Sequence, residues 1–190
     1  SIGGANTTYG FAGIYDGNGK TISNLNVPYL FNAVTGEIRD LTLAESCTFK
    51  NASVARWLVG GKVINCKNYG SILPTFNGTD WSNNANAGGI VQIAERGAEI
   101  LGCKNYGKIE IQSDKTNFSR IGGIAASISN VTIRNCHNYG SLNAGKPAEG
   151  YHGSTGNYAG GIVGEVRTSS TYKGSTQIIG CSNRGSVTAG

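Results

Sequence analysis

Methionine is absent from this sequence of 190 residues, proline occurs only three times, and charged side chains make up 14% of the chain. An average protein has about 25% charged residues. This scarcity excludes a coiled coil or a helical bundle. Glycine is abundant at 30 residues, but it does not recur at every third position, which excludes collagen. No apolar run approaches the ~18 residues of a membrane-spanning helix, so no membrane insertion is expected. The 38% of hydrophobic residues disfavours disorder.

The charge balance points away from nucleic acid as a partner. The net charge of +5 arises because 11 acidic residues face 16 lysines and arginines. Nucleic-acid-binding proteins cluster their basic residues, whereas here they are scattered along the chain. Five cysteines cannot all pair with one another, so a disulfide framework is not expected.

One heptapeptide of the form Cys-x-Asn-x-Gly-x-(Ile/Leu/Val) occurs four times. The copies are residues 66–72, 103–109, 136–142 and 181–187, and their cysteines are separated by 37, 33 and 45 residues. Each of the last three copies follows a Gly-Gly-Ile signature, at residues 87–91, 121–125 and 159–163. Before Cys66 the equivalent segment is taken to be residues 56–59, with Arg56 and Trp57 in place of the double glycine. The unit therefore recurs about five times.

The repeat unit predicts an all-β solenoid. Three short strands are expected in each unit: the Gly-Gly-Ile segment, a run such as residues 131–136, and a third strand such as residues 107–111. Each unit has one apolar face and must stack on the next copy. We therefore expect a parallel β-helix of five to six coils, three strands per coil, with loop insertions at one corner. The single domain, 1–190, divides into coils at 9–50, 54–86, 87–119, 120–157 and 158–190.

Alternation within the heptapeptide predicts structural columns in the interior. Small buried cysteines form one column, asparagine amides hydrogen-bonded along the stack form a second, and the glycines are expected to supply a positive φ. The members of the two side-chain columns are Cys66, Cys103, Cys136 and Cys181, and Asn68, Asn105, Asn138 and Asn183. Cys47 is expected at the position of Ile72 in the next unit. A column presents its thiols along a line and not around a point, so no metal site is predicted.

The repeats resemble the GLUG-motif group of bacterial surface and secreted proteins. The resemblance begins at residues 11–25, continues through residues 30–31 and 36–41, and includes the later Gly-Gly-Ile-Val and Cys-x-Asn-x-Gly elements. It implies a right-handed parallel β-helix in a large secreted or cell-surface protein associated with adhesion or with regions that accompany peptidases.

Catalytic chemistry is not indicated by the residues. A glycosidase needs two facing carboxylates, but the acidic residues do not recur at equivalent positions, except for Asp80 and Asp114. His137 and His152 have no identifiable partners for a nucleophilic site. We therefore predict no enzymatic activity, no catalytic residue, no metal and no cofactor.

Ligand binding is predicted at three insertions, residues 74–86, 112–119 and 144–157, which follow the same strand of successive coils. Loops on a rigid scaffold commonly carry function. The candidate ligand-binding residues are Trp81, Tyr151, Phe118, Phe76, Asp80, Asp114 and His152. These aromatic side chains could instead cover an edge by packing against each other. A second candidate is the outward tyrosine column Tyr69, Tyr106 and Tyr139, whose rings could equally serve only to stack on one another.

The functional prediction is a non-catalytic adhesin, stalk or binding module that contacts a glycan or a host or cell-surface protein. The alternative is an ancillary β-helix domain of a larger carbohydrate-active enzyme or peptidase. The chain has no initiator methionine and ends in a strand without a cap, so it is expected to be a segment of a longer extracellular protein with flanking domains.

Overall fold

The chain winds into a parallel β-helix, which confirms the predicted fold class. A computed structural model describes residues 1–4, 10–74, 84–111, 118–145, 157–168 and 174–189. Within these ranges there are 24 strands and no helix. Every strand pairing is parallel and joins equivalent positions of successive coils. The described part of the chain accordingly contains no helix suited to crossing a bilayer.

The first three coils contain eleven short strands. The first coil has β1 (Ile14–Asp16), β2 (Thr21–Ile22) and β3 (Asn26–Val27). The second has β4 (Phe31–Val34), β5 (Glu37–Arg39), β6 (Thr42–Leu43) and β7 (Thr48–Phe49). The third has β8 (Ala55–Val59), β9 (Lys62–Ile64), β10 (Lys67–Asn68) and β11 (Ser71–Ile72).

The next three coils add a strand before the double glycine. The fourth has β12 (Asn84–Gly88), β13 (Val91–Leu101), β14 (Lys104–Asn105) and β15 (Ile109–Glu110). The fifth has β16 (Phe118–Gly122), β17 (Ala125–Arg134), β18 (His137–Asn138) and β19 (Leu142–Asn143). The sixth has β20 (Asn157–Gly160), β21 (Val163–Val166), β22 (Gln177–Ile179), β23 (Ser182–Asn183) and β24 (Val187–Thr188).

These strands form four parallel sheets. Sheet A has nine strands and contains β1, β4, β5, β8, β9, β13, β17, β21 and β22. Sheet B runs β2-β6-β10-β14-β18-β23, and sheet C runs β3-β7-β11-β15-β19-β24. Sheet D contains β12, β16 and β20. Each coil thus passes through sheets A, B and C in turn, and sheet D precedes sheet A in the last three coils.

Two details of the predicted organisation differ from the structure. Residues 9–50, counted as one coil, contain two, because β1 pairs with β5 and β3 pairs with β7. The double glycine was predicted to open a strand, but Gly88 ends β12, and Gly89 and Ile90 form the bend before β13. A Cβ at Gly88 would overlap the carbonyl oxygen of Val91, and one at Gly89 that of Gly123. The glycines therefore allow a tight corner between sheets D and A.

Arg56 and Trp57 do not replace the double glycine in the third coil. Trp57 pairs with Ile93 inside sheet A, whereas Ala52 forms the bridge to Gly88. Ala52 and Ser53 therefore occupy the corner, where the Ser53 hydroxyl donates a hydrogen bond to the Gly89 carbonyl. Small residues satisfy the same steric requirement there.

Stacked apolar side chains fill the interior. The buried columns are Ile38, Val63, Ile100 and Ile133 in sheet A, and Phe49, Ile72, Ile109 and Leu142 in sheet C. Because each side chain packs against its equivalents above and below, burial is continuous along the axis.

The predicted asparagine column is a chain of hydrogen bonds. Asn68 Nδ2 donates to Asn105 Oδ1 at 2.8 Å, and Asn105 Nδ2 donates to Asn138 Oδ1 at 2.8 Å. Asn138 Nδ2 continues the chain to Asn183 Oδ1 at 2.7 Å. Each amide also donates to the carbonyl of the glycine two residues on, for example Gly107 at 2.9 Å from Asn105. The column satisfies its buried polar atoms and fixes the register between coils.

The heptapeptide glycines have a steric role. The prediction that they adopt a positive φ is wrong, because positive φ is found at other glycines. A Cβ at Gly107 would overlap the carbonyl oxygen of Gly70, and one at Gly140 that of Gly107. These positions require glycine because the stacked backbones approach one another too closely for a side chain.

Positive φ occurs instead at the residue before the first position of each heptapeptide or its equivalent, where the chain turns from sheet A into sheet B. φ is 52° at Asp40, 52° at Asn65, 64° at Gly102, 54° at Asn135 and 64° at Gly180. Asp40 stands before Leu41, which occupies the cysteine position in the second coil. Asparagine, aspartate and glycine are the residues that adopt this conformation at the lowest cost.

We predict that Asn105→Ala destabilises the protein strongly. The substitution removes a fully buried amide and leaves Asn138 Oδ1 without its donor. With about 1–3 kcal/mol for each buried group left unsatisfied, the free energy of unfolding should fall by about 3 kcal/mol, measured by urea denaturation. The control Asn26→Ala, at an exposed strand position, should change it by less than about 0.5 kcal/mol. Equal effects of the two substitutions would show that the column contributes no stability.

We predict that Gly107→Ala also destabilises the protein, by about 3 kcal/mol, because overpacking shifts the stacked backbone. Gly13→Ala is the matched control, since its Cβ would meet only the Phe11 ring at an ordinary contact distance of 3.4 Å. The two thermal unfolding curves should therefore differ clearly. A Gly107→Ala protein as stable as the control would exclude close backbone stacking at this position.

Candidate binding surface

Most of the predicted loop residues lie outside the described part of the chain. Phe76, Asp80, Trp81, Asp114, Tyr151 and His152 all fall in segments that the structure does not describe. Their role as a ligand site therefore stays a prediction. Phe118 is the first residue of β16, where its backbone pairs with Asn84.

The three insertions connect the same two sheets. Each leaves the end of a sheet C strand and leads to a strand of sheet D. Their last residues belong to strands: residues 84–86 lie in β12, residues 118–119 in β16, and Asn157 begins β20. The ends of the insertions thus share one corner. Each predicted insertion is too long at its C-terminal end, by the one to three residues that belong to a sheet D strand.

The tyrosine column, Tyr69, Tyr106 and Tyr139, lies on the outer side of the β-helix just after sheet B. The ring centroids of Tyr69 and Tyr106 are 4.5 Å apart with an interplanar angle of 3°, and those of Tyr106 and Tyr139 are 4.7 Å apart at 6°. The guanidinium of Arg184 extends the stack, 6.0 Å from the Tyr139 ring centroid. Both faces of Tyr106 and both faces of Tyr139 are therefore covered by their neighbours, and one face of Tyr69 is covered by Tyr106.

The column presents ring edges and hydroxyl groups to the solvent. Tyr69 is 41% exposed. Burial between its neighbours raises the pKa of Tyr106, and the adjacent tyrosines add to the increase. Tyr106 therefore stays protonated and remains a hydrogen-bond donor as well as an acceptor. The result is a row of hydroxyl-bearing rings with a repeat equal to the spacing of the coils.

A basic column, Lys67, Lys104 and His137, lies beside the tyrosine column on the outer face of sheet B. Lys67 pairs in register with Lys104, and Lys104 with His137. In the sixth coil the position is taken by Ser182, whose hydroxyl is 2.9 Å from His137 Nδ1. Lys67 and Lys104 therefore place two positive charges directly opposite one another on adjacent strands.

A groove with a volume of about 310 Å³ borders the basic column. Its lining residues are Gly19, Asp40, Thr42, Asn65, Lys67, Gly102 and Lys104. Asn65 Nδ2 donates a hydrogen bond of 3.3 Å to Asp40 Oδ1 of the preceding coil. The groove therefore combines two ammonium groups with one carboxylate and neutral hydrogen-bonding groups.

Charges on the outer face of sheet A are arranged differently. Arg39 forms ion pairs with Asp16 at 2.9 Å and Glu37 at 3.0 Å, and Lys62 pairs with Glu99 at 3.2 Å. The pKa of Asp16 is lowered by the hydrogen bond from the backbone of Asn18 and by Arg39. Sheet A thus balances opposite charges between coils, whereas the basic column does not.

The cysteines form a buried thiol column. All five cysteines are free, and four of them are buried. The Cys103 Sγ lies 3.5 Å from the Val63 carbonyl oxygen of the preceding coil, and burial raises the pKa of this thiol well above its ordinary value. A buried, protonated thiol is a poor nucleophile. Among the described residues no three metal-ligating side chains converge on one point.

Cys47 is buried, but its predicted alignment is wrong. Phe49, and not Cys47, pairs with Ile72, and Cys47 lies beside Gly70 of the next coil. The corner between β6 and β7 has two more residues than the corner between β10 and β11. This difference in length accounts for the shift.

Sequence reasoning identified the tyrosine column as a second candidate but did not identify the groove. A signal was present, since Asp40, Asn65 and Gly102 each precede the first residue of a heptapeptide or its equivalent. These residue types mark a left-handed turn. A turn repeated in successive coils forms a continuous recess along the axis.

Comparison with protein-family models, with curated proteins and with solved structures gave no match for this chain. The resemblance to the GLUG-motif group therefore rests on the sequence motifs alone and stays a prediction.

We predict that one cysteine reacts with a thiol reagent in the native protein much faster than the other four. Cys181 is only partly buried, in the sixth coil, whereas the others are enclosed. Titration with an aromatic disulfide reagent should show one fast thiol, which Cys181→Ser removes, and about five after denaturation without reductant. Fewer than about three thiols after denaturation would contradict the free-thiol column.

Proposed function

We propose that this chain is a non-catalytic binding segment of a secreted or cell-surface bacterial protein, and that it recognises glycan chains. The observation that carries the proposal is the exposed tyrosine column, which spans three coils beside the basic column. A glycan chain is itself a linear repeat of hydroxyl groups. The tyrosine rings repeat at centroid distances of 4.5 to 4.7 Å, so their hydroxyls form a row that can contact successive sugar units.

The interior columns support a scaffold role. Asparagine amides bond to one another, thiols lie beside carbonyl groups of the preceding coil, and aliphatic side chains fill the remaining space. These side chains are occupied by contacts inside the scaffold, so we expect a ligand to bind at the outer surface or at the insertions. A rigid solenoid with an extended outer surface suits a stalk or an adhesin.

The arrangement of acidic residues favours binding over hydrolysis. Glu95 pairs with Arg96, Glu110 with Lys108, and Glu165 with both Arg120 and Arg167. Asp16 and Glu37 share Arg39 on the outer face of sheet A. These ion pairs hold the carboxylates of the described residues against basic side chains on the surface of the scaffold, whereas glycoside hydrolysis requires two carboxylates that face each other across a cleft.

Replacement of the three column tyrosines by phenylalanine tests the proposal. The variant Tyr69→Phe/Tyr106→Phe/Tyr139→Phe keeps the stacked rings and removes their hydroxyls. We expect an unchanged melting temperature and at least about tenfold weaker binding to immobilised polysaccharides, since each lost hydrogen bond contributes about 0.5–1.5 kcal/mol. Binding is measured by biolayer interferometry against a panel of neutral and acidic polysaccharides.

The matched control is Tyr15→Phe/Tyr29→Phe/Tyr158→Phe, which removes three hydroxyls outside the column and should leave binding unchanged. A panel on which the unmodified protein binds no polysaccharide would contradict glycan recognition. Binding that survives the column substitutions but is lost in Trp81→Ala/Tyr151→Ala would place recognition on the insertions, provided that this second variant still folds.

A further inference from the structure

The basic column carries an electrostatic cost that the fold does not require. Lys67 and Lys104 lie directly opposite one another on adjacent strands, about 4.8 Å apart along the hydrogen-bonding direction. Like charges in this arrangement are destabilising. On sheet A, by contrast, oppositely charged residues face each other between coils, as in the ion pair of Lys62 with Glu99. Within the described ranges neither Lys67 nor Lys104 has an ion-pair partner.

A repeating anion would neutralise this cost. Both lysines line the groove of about 310 Å³, so an acidic group held there would meet two ammonium groups at once. His137 continues the column into the next coil. An extended polymer lying along the axis of the β-helix could therefore place successive acidic units against successive coils.

The rest of the surface favours a hydroxyl-rich polymer over nucleic acid. Single-stranded nucleic acids stack their bases on open aromatic faces. Here both faces of Tyr106 are covered by the neighbouring tyrosine rings, and Arg184 lies over the outer face of Tyr139. Asp40 also lines the groove, where its carboxylate could accept a hydrogen bond from a sugar hydroxyl. Asn65 and Thr42 add neutral hydrogen-bonding groups.

We infer that this surface binds an acidic polysaccharide whose chain runs parallel to the axis of the β-helix. Its carboxylates lie at Lys67 and Lys104, and its hydroxyls contact Asp40 and the tyrosine column. The inference rests on the proposed glycan recognition and adds to it the ligand class, the orientation of the chain and the charged contacts.

Binding of polygalacturonate and of its methyl ester tests the inference. The two polymers share a backbone and differ in carboxylate charge, so the unmodified protein should bind the acid at least tenfold more tightly than the ester. Lys67→Gln/Lys104→Gln should weaken binding of the acid at least tenfold. The matched control Lys50→Gln/Lys62→Gln removes the same number of positive charges elsewhere and should change the affinity by less than twofold.

The outcomes separate this inference from the proposed function. Equal binding of acid and ester that still depends on the tyrosine hydroxyls would overturn the inference and keep glycan recognition. An equal loss of affinity for polygalacturonate in both lysine variants would show that only the net charge of the protein matters, and it would overturn the inference. Single-stranded DNA that competes with polygalacturonate and binds through the same lysines would replace the polysaccharide with nucleic acid. Failure of every polysaccharide to bind would overturn both proposals.

Discussion

Stacking of each position on its own equivalent, coil after coil, is the constraint on which the rest of this structure depends. Parallel pairing places equivalent side chains about 4.8 Å apart, so a residue is suitable only if it can contact the residue at the same position of the next coil, which is often a copy of itself. Asparagine meets this condition because its amide both donates and accepts, as in the 2.8 Å bond from Asn68 to Asn105. Glycine meets it by leaving room for backbone contact at Gly107, and tyrosine meets it through ring stacking.

The same constraint explains how much of the fold the sequence could predict. A residue that must match its equivalents leaves a repeat in the sequence, and the heptapeptide was sufficient to predict parallel stacking and the asparagine column. The corners of the coils are harder to predict, because the alternation of apolar and polar residues does not distinguish a bend from the end of a strand. The double glycine was therefore placed in a strand, although a Cβ at Gly89 would overlap the adjoining coil. Residues 9–50 were counted as one coil because they lack the cysteine and the double glycine.

The candidate site was harder to predict, because it depends on register and not on any local motif. Asp40 and Lys104 line one groove although two coil lengths of sequence separate them. The positions of the tyrosines followed from alternation, but the covering of their faces depends on ring orientations that only the structure provides. Cys47 shows the sensitivity of register to corner length, since two additional residues place it beside Gly70 and not beside Ile72.

Stacking also distinguishes columns that stabilise the fold from columns that do not. An amide column gains a hydrogen bond with each added coil, so Asn105 and Asn138 stabilise the fold by repetition. Two ammonium groups on adjacent coils repel each other, so Lys67 beside Lys104 opposes the stacking of these two coils. Ion pairing between coils was available to this chain, as Lys62 and Glu99 show. This unbalanced pair of like charges on a periodic scaffold is the ground on which we propose a ligand that is periodic and oppositely charged.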